Sequence, residues 1–417
     1  MIRIHPFPAF MPEPSEAATI ACEPYDVIST EEARERSAGN AKSFLHVVRS
    51  EIDLPSDTDP HSPEVYTTAA RNLQTMIDRQ WLRPAPCGVY LYRQTFQGRE
   101  QCGVVATCEA AQYRTNEIKK HEKTRPDKED DRTDHMLACG AHAEPVFLTF
   151  RDTARIAELI ETATASTAPM IDFVAADGVG HSVWTVADAD AYVQAFAELD
   201  ALYIADGHHR TAGAERAATA RQEANSNHTG NEEYNRILAV MFPASHLRIL
   251  AYNRVVRDLN GMTAGQLLAR LSLVGIVEPT EEPQPASAGS VCFFAGRGWY
   301  RLTFPHDSID RGDPIGSLDV SLLQSRVLEP VLGIVDPRTD TRIAFVGGIR
   351  GTGELEKLVR SGAMAVAFSM HPTGIEQLLK VSDAGQIMPP KSTWFEPKLR
   401  SGLFVHQFEP ERRSFTP

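Results

Sequence analysis

The segment 201–216, ALYIADGHHRTAGAER, constrains the fold more than any other stretch of this sequence. The apolar residues Ala201 to Ala205 suit a buried strand, and the alanine-rich run from Thr211 suits a helix. Only Asp206-Gly207-His208-His209-Arg210 stands between them. A strand that becomes a helix over so few residues is the joint of an α/β layer. It leaves backbone N–H groups without intrahelical partners at the positive end of the helix dipole, where anions bind. His208, His209 and Arg210 add side-chain donors there, and Asp206 suits holding Mg²⁺ or taking a proton. The plainer alternative makes Asp206 a helix cap and the histidines solvated.

Around this joint the pattern keeps alternating. The spacing of Ala69, Leu73, Ile77 and Leu82 predicts a helix over 63–82. GVYLYRQTF (88–96), a turn at Gly98 and GVVATCEA (103–110) predict a β-hairpin. Strands are expected at 145–150, 182–186, 236–244 and 248–256, helices at 152–165 and 188–199, and loops at 166–181 and 225–233. The Pro/Glu/Ser-rich stretch 278–290 marks the expected boundary between an N-terminal part, 1–277, and a C-terminal α/β part, 291–417. The expected class is α/β in the mixed α+β sense, one interlocked chain without repeats.

With 42 Lys and Arg against 55 Asp and Glu among 417 residues, the formal charge is −13. Binding nucleic acid needs a cationic footprint, so it is not an expected partner. The cysteines at 22, 87, 102, 108, 139 and 292 form no C-x-x-C pair, which suits a reduced compartment. The proline-punctuated start lacks the apolar run of a signal peptide, and no stretch approaches the ~18 apolar residues of a membrane span. A cytoplasmic protein with no membrane partner is expected.

Three further motifs bear on chemistry. In KKHEKTRPDKEDDRTDHM (119–136), Arg125 stands where a zinc-protease motif needs its second histidine, and Arg132 where a calcium loop needs glycine. Read as a helix, the segment pairs Asp127 with Asp131 and Lys128 with Arg132, like charges one turn apart. That repulsion favours a ligand between them, with Arg125, Lys128 and Arg132 on phosphates and Glu122 as base or metal ligand; a solvated charged helix is the alternative. MPPKSTWFEPK (388–398) puts Lys391, Ser392, Thr393 and Lys398 on a proline-stiffened loop suited to phosphate, unless it is merely core aromatics and surface lysines. RIAFVGGIRGTGELEKL (342–358) has phosphate-loop glycine spacing, but Glu354 and Leu355 replace the required lysine and hydroxyl residue. It reads as a plain strand-to-helix turn.

PYDVIS (24–29), KKHEKT with Asp131-Arg132, IADGHHR (204–210), FVGG (345–348) and MPPKSTWFEPK together, in this order, resemble the bacterial and archaeal domain-of-unknown-function 1015 family over almost the whole chain. That family name implies no activity. Within it, 188–216 resembles the nucleotide site of the ParB/sulfiredoxin-like superfamily, and of its free-serine kinases with the same DGHHR string. The resemblance implies a ParB/sulfiredoxin-like core embedded in a larger chain. It puts Gly207, His208, His209 and Arg210 on nucleotide phosphates and Asp206 on metal or proton. Sulfiredoxin's cysteine is missing, which excludes its redox chemistry. The kinases' catalytic carboxylate lies outside the matched unit, so Asp206, Glu122 and Asp26 all stand as candidates, with His209 as a further catalytic group.

These readings lead to a Mg²⁺-dependent phosphotransferase using ATP or ADP on a small hydroxyl compound, free L-serine before others, with Asp206 and Glu122 on the metal. The rival is a ParB-like binding protein gated by nucleotide without phosphoryl transfer. A metal-dependent hydrolase is the third reading.

Overall fold

The hairpin expected at 88–110 forms the middle of a sheet. In the computed structural model, which describes residues 1–296 and 298–409, Tyr90–Phe96 pairs antiparallel with Arg99–Glu109, and Gln94 stands opposite Gln101. The sheet runs Ile118–Lys119, Leu202–Asp206, Val146–Phe150, Arg236–Pro243, Arg99–Glu109, Tyr90–Phe96, Gly180–Thr185, Ile171–Val174, with Ile4–His5 also on Arg99–Glu109. Two neighbour pairs are parallel, Leu202–Asp206 with Ile118–Lys119 and Val146–Phe150 with Arg236–Pro243; the others are antiparallel. The central strands are continuous apolar runs because both their faces are covered.

The architecture is mixed α/β, in two units: Met1–Leu247 with the segment from Pro397 onward, and Arg248–Glu396. The second unit has its own six-stranded sheet, antiparallel throughout, in the order Ile276–Pro279, Gly298–Thr303, Ser290–Ala295, Val366–Met370, Tyr252–Val256, Ile343–Gly347. The stretch 278–290 therefore lies inside this unit. It joins two strands that both bond Gly298–Thr303, and its polarity is that of an exposed connection. The expected loop 166–181 contains the strand Ile171–Val174, an edge strand of four residues too short to register as periodicity. The run 248–256 divides into Ile249–Leu250 and Tyr252–Val256, which join different sheets.

One helix pair brings distant motifs together in the first unit. The helix His208–Ala224 buries Ala212, Gly213, Ala214, Ala217 and Ala218. At Gly213 an added Cβ would stand 3.0 Å from the Cβ of Arg132 and 3.2 Å from the Thr133 nitrogen, so only glycine allows the helix Pro126–Cys139 to come this close. Among the described residues no helix is long and apolar enough to cross a membrane.

Candidate functional site

The turn expected at 206–210 forms as a strand-to-helix joint. Along Leu202–Asp206 the pairing with Val146–Phe150 slips after Ile204, which faces Leu148, so that Asp206 faces Phe147. The bulge re-aims the strand end, as bulges beside functional groups do. Gly207 follows at φ +86°, ψ 34°, a left-handed conformation that disfavours a side chain. A Cβ there would also meet the Arg210 guanidinium at 3.1–3.2 Å. Asp206 does not cap the helix: its Oδ1 accepts the Gly207 N–H at 3.0 Å, and no side chain caps His208–Ala224. The first-turn amides of this 17-residue helix are thus left uncapped at the positive end of its dipole.

The side chains at the turn are held by strong local fields. Lys398 donates from Nζ to Asp206 Oδ2 at 3.0 Å. Burial alone would raise the Asp206 carboxyl; the Lys398 ammonium and the Arg210 guanidinium, with hydrogen bonds from Lys398 and the Gly207 amide, outweigh it and hold the group well below the ordinary carboxylate range. Asp26 moves the other way, pushed up by desolvation and then by the Asp206 charge. The Asp26 side chain still reaches solvent. Arg210 is 2% exposed; its Nη1 donates to the Pro145 carbonyl at 2.7 Å, while its Nε has no hydrogen-bond partner.

The histidines are neutral donors or acceptors. Burial first, then the proximity of His121, holds His208 well below its ordinary value. The two rings meet edge to face at 4.5 Å, and burial pushes His121 down to about 4. His208 Nδ1 lies 3.9 Å from Glu122 Oε2, and its buried Nε2 has no hydrogen-bond partner. His209 accepts the Arg125 N–H at 3.3 Å. The charged segment therefore meets the turn through His121, Glu122 and Arg125.

Its expected repulsion does not arise. Arg132 donates from Nε to Asp131 Oδ2 at 2.9 Å, and Asp127 takes Nη2 of Arg125 at 2.7 Å. Asp131 also accepts from Tyr66 at 3.0 Å and lies 3.1 Å from His61 Nδ1. Arg132 is 6% exposed, stacks 3.8 Å from the Tyr25 ring centre and lies 3.7 Å from Glu144, so its charge is balanced within the protein, while its buried Nη1 has no hydrogen-bond partner. Asp127, Asp131 and Arg132 are thus each balanced by a neighbour other than the one a turn away. Lys128 lines a small cavity beside Tyr25, His61, Asp131 and Arg132.

The loop 388–398 divides between the units. Lys391, Ser392 and Thr393 belong to the second, where Lys391 adopts φ +57°, Ser392 is buried and its Oγ donates to the Pro389 carbonyl at 2.6 Å. Lys398 belongs to the first. Its segment is pinned by Arg400, which donates from Nε to His181 at 3.3 Å, and by Ser401, which donates to Glu144 at 3.0 Å. Glu144, which no motif signalled, also accepts the Tyr25 N–H at 3.2 Å. Its one sequence cue is a charged residue directly before a buried strand.

Among the described residues no three His, Cys, Asp or Glu side chains form a metal cage. Mg²⁺ needs less, commonly one or two carboxylates with phosphates and water. Asp206 and Glu122 are the carboxylates expected to supply that chemistry, although Asp206 already holds a lysine ammonium on one oxygen and an amide on the other.

A family model described as "Protein of unknown function (DUF1015)" matches residues 4–321. The chain belongs to the DUF1015 family. A search of curated proteins finds no match. Among solved structures this DUF1015 chain is similar to a free serine kinase in complex with AMP, at 11% identity over 70% of this chain and 86% of that one, TM-score 0.35. A conserved hypothetical protein from Pyrococcus furiosus gives 12% over 73% and 95%, TM-score 0.35. SbnI with a C-terminal truncation, from Staphylococcus aureus, gives 9% over 71% and 85%, TM-score 0.37. Scores this low establish neither a shared fold nor a shared activity.

Proposed function

We propose that the 206–210 turn binds nucleotide phosphates and that this protein transfers a phosphoryl group from ATP or ADP to a small hydroxyl compound, with free L-serine the favoured acceptor. The observation that carries the reading is an uncapped helix start beside two carboxylates whose environments drive them apart. Such divergence separates acid–base roles. Asp206, kept anionic, is a poor base and holds the Lys398 ammonium in place. Asp26, with its raised affinity for protons, is the better acceptor of the hydroxyl proton, ahead of Glu122. The acceptor oxygen forms a bond to the terminal phosphorus, the bond to the nucleotide's leaving oxygen breaks, and the proton passes to Asp26.

Phosphoryl transfer is mostly positioning and charge neutralisation. The first-turn amides, Arg125 and Lys398 supply these, with the neutral His208 and His209 as hydrogen-bonding groups. Asp206, with Glu122, would hold Mg²⁺ arriving with the nucleotide, and the ion would add charge neutralisation at the phosphates while Asp26 stays free to take the proton. Product analysis tests the reading: protein, ATP or ADP, Mg²⁺ and serine should yield O-phosphoserine by phosphorus NMR. Nucleotide binding without a phosphorylated product from serine or other small alcohols would replace it with the nucleotide-gated binder, which the occupied Asp206 oxygens favour.

A further inference from the structure

Gln94 and Gln101 are 0% and 4% exposed, yet they face each other across a hairpin, where two apolar side chains would bury more cheaply. Buried amides are retained when their hydrogen bonds are satisfied. Here they form a directed chain: Gln101 Nε2 donates to Gln94 Oε1 at 2.8 Å, and Gln94 Nε2 donates to the Lys398 carbonyl at 2.7 Å. Gln101 Nε2 also reaches the Pro397 carbonyl, at 3.5 Å. Reversing either amide would set oxygen against oxygen, so the carbonyls fix both orientations. Both caught carbonyls lie at the residue whose Nζ meets Asp206 and the one before it.

We propose that Gln94 and Gln101 are positioning residues for Lys398: the amide pair clamps the main chain at Pro397–Lys398 and so sets the ammonium against Asp206. The placement stands by itself; its effect on turnover rests on the phosphotransferase reading. Strand-borne amides are well suited to the task, because a sheet interior holds their rotamers and a loop cannot hold its own.

The test uses the full chain and two readouts. Brief acetylation with an amine-reactive ester, read by peptide mass spectrometry, reports how tightly Lys398 is held, with exposed Lys357 as internal standard. Gln94→Leu and Gln101→Leu should raise Lys398 acetylation about fivefold or more over Lys357. Gln94→Asn, which keeps an amide but shortens its reach, should fall between, and it carries the test if the leucine variants do not fold. Folded variants that acetylate like wild type would overturn the clamp, whether or not the protein is a kinase. With phosphoserine formation in hand, the same variants should lower kcat about tenfold while the dissociation constant for nucleotide moves less than threefold. A raised acetylation rate with unchanged kcat would overturn the catalytic part alone.

Discussion

Leu202–Asp206 enters its helix through Gly207, and Ile343–Gly347, in the second unit, enters its helix through the 3₁₀ turn Gly348–Arg350. Both turns are glycine-bearing, and the second has the more familiar phosphate-loop spacing. At the first, glycine leaves room for a buried guanidinium, and an ionised Asp206 and the buried His208 stand within two residues. At the second, a Cβ on Gly347 would meet the Trp394 ring at 3.0 Å and one on Gly348 the Ala251 carbonyl at 2.7 Å. Its glycines serve packing, and the first helical turn carries Glu354, paired with Lys357 at 3.5 Å. Glycine spacing marks where a chain can turn; the groups around the turn decide whether an anion can bind.

Acid should separate the two regions most. Burial pushes His121 and His135 down to about 4, His142 and His181 to about 3, and His208 well below its ordinary value; all belong to the first unit. The unfolded chain takes up these protons near pH ~6.5 and the folded one only near or below pH ~4, so stability falls as pH drops through that window. The first four each cost on the order of 1–2 kcal/mol at pH ~5, and His208 adds to the loss in the same direction, so that together they rival a typical ~5–15 kcal/mol of total stability. Hydrogen exchange at pH ~5 should accelerate in the first unit well before the second. Equal acceleration in both would remove this contrast.

Next in size is Asp26→Asn, which should lower phosphoserine formation by about 10²-fold or more while leaving nucleotide binding within a few-fold. Glu354→Gln, at the other turn, should change neither. If Asp26→Asn keeps full turnover and Glu122→Gln does not, the base is Glu122.

The fold was legible where one segment carries its own pattern. The hairpin around Gly98, the helix Pro63–Asp78 and the joint at Gly207 follow from alternation, helical spacing and a glycine between apolar runs. The candidate site was half legible. Asp206 to Arg210 stand in one string, but Asp26 acquires its character from Asp206, Lys398 from Gln94, and Glu144 from Tyr25 and Ser401. Those partners lie far apart in sequence, and no local period encodes them. The charges of 127–132 read as mutual repulsion for a different reason: one-turn spacing pairs like charges, whereas in the fold Arg132 turns back onto the adjacent Asp131.

Arg210→Ala sharpens the comparison through stability. It removes a charge-assisted bond to Pro145 and takes away one of the buried positive charges that balance Glu144, Asp26 and Asp206, leaving Arg132 beside Glu144 and Lys398 beside Asp206. The expected loss is ~1.5–3 kcal/mol in denaturant unfolding. Nucleotide affinity, measured by calorimetry on the folded variant, should weaken as well.

The smallest effect separates the two glycines directly. Gly207 has φ +86° and Gly351, at the start of the second helix, has φ +69° with ψ 176°, so alanine strains either by about 1–3 kcal/mol. Around Gly351 nothing lies within 4 Å, and the cost there ends with the backbone. Around Gly207 the new methyl must also displace the Arg210 guanidinium by a few tenths of an ångström, because it would stand 3.1 Å from Nε. That guanidinium helps hold Asp206 anionic, and its shift reaches the helix end where phosphate would bind. Both alanine variants should therefore melt earlier, Gly207→Ala the more of the two, while only Gly207→Ala weakens nucleotide binding, by about threefold to tenfold, or up to ~1.4 kcal/mol. If both variants bind nucleotide as tightly as wild type, the phosphates do not lie at the 207 turn. If Gly351→Ala alone weakens binding, the second unit's turn is the nucleotide site after all.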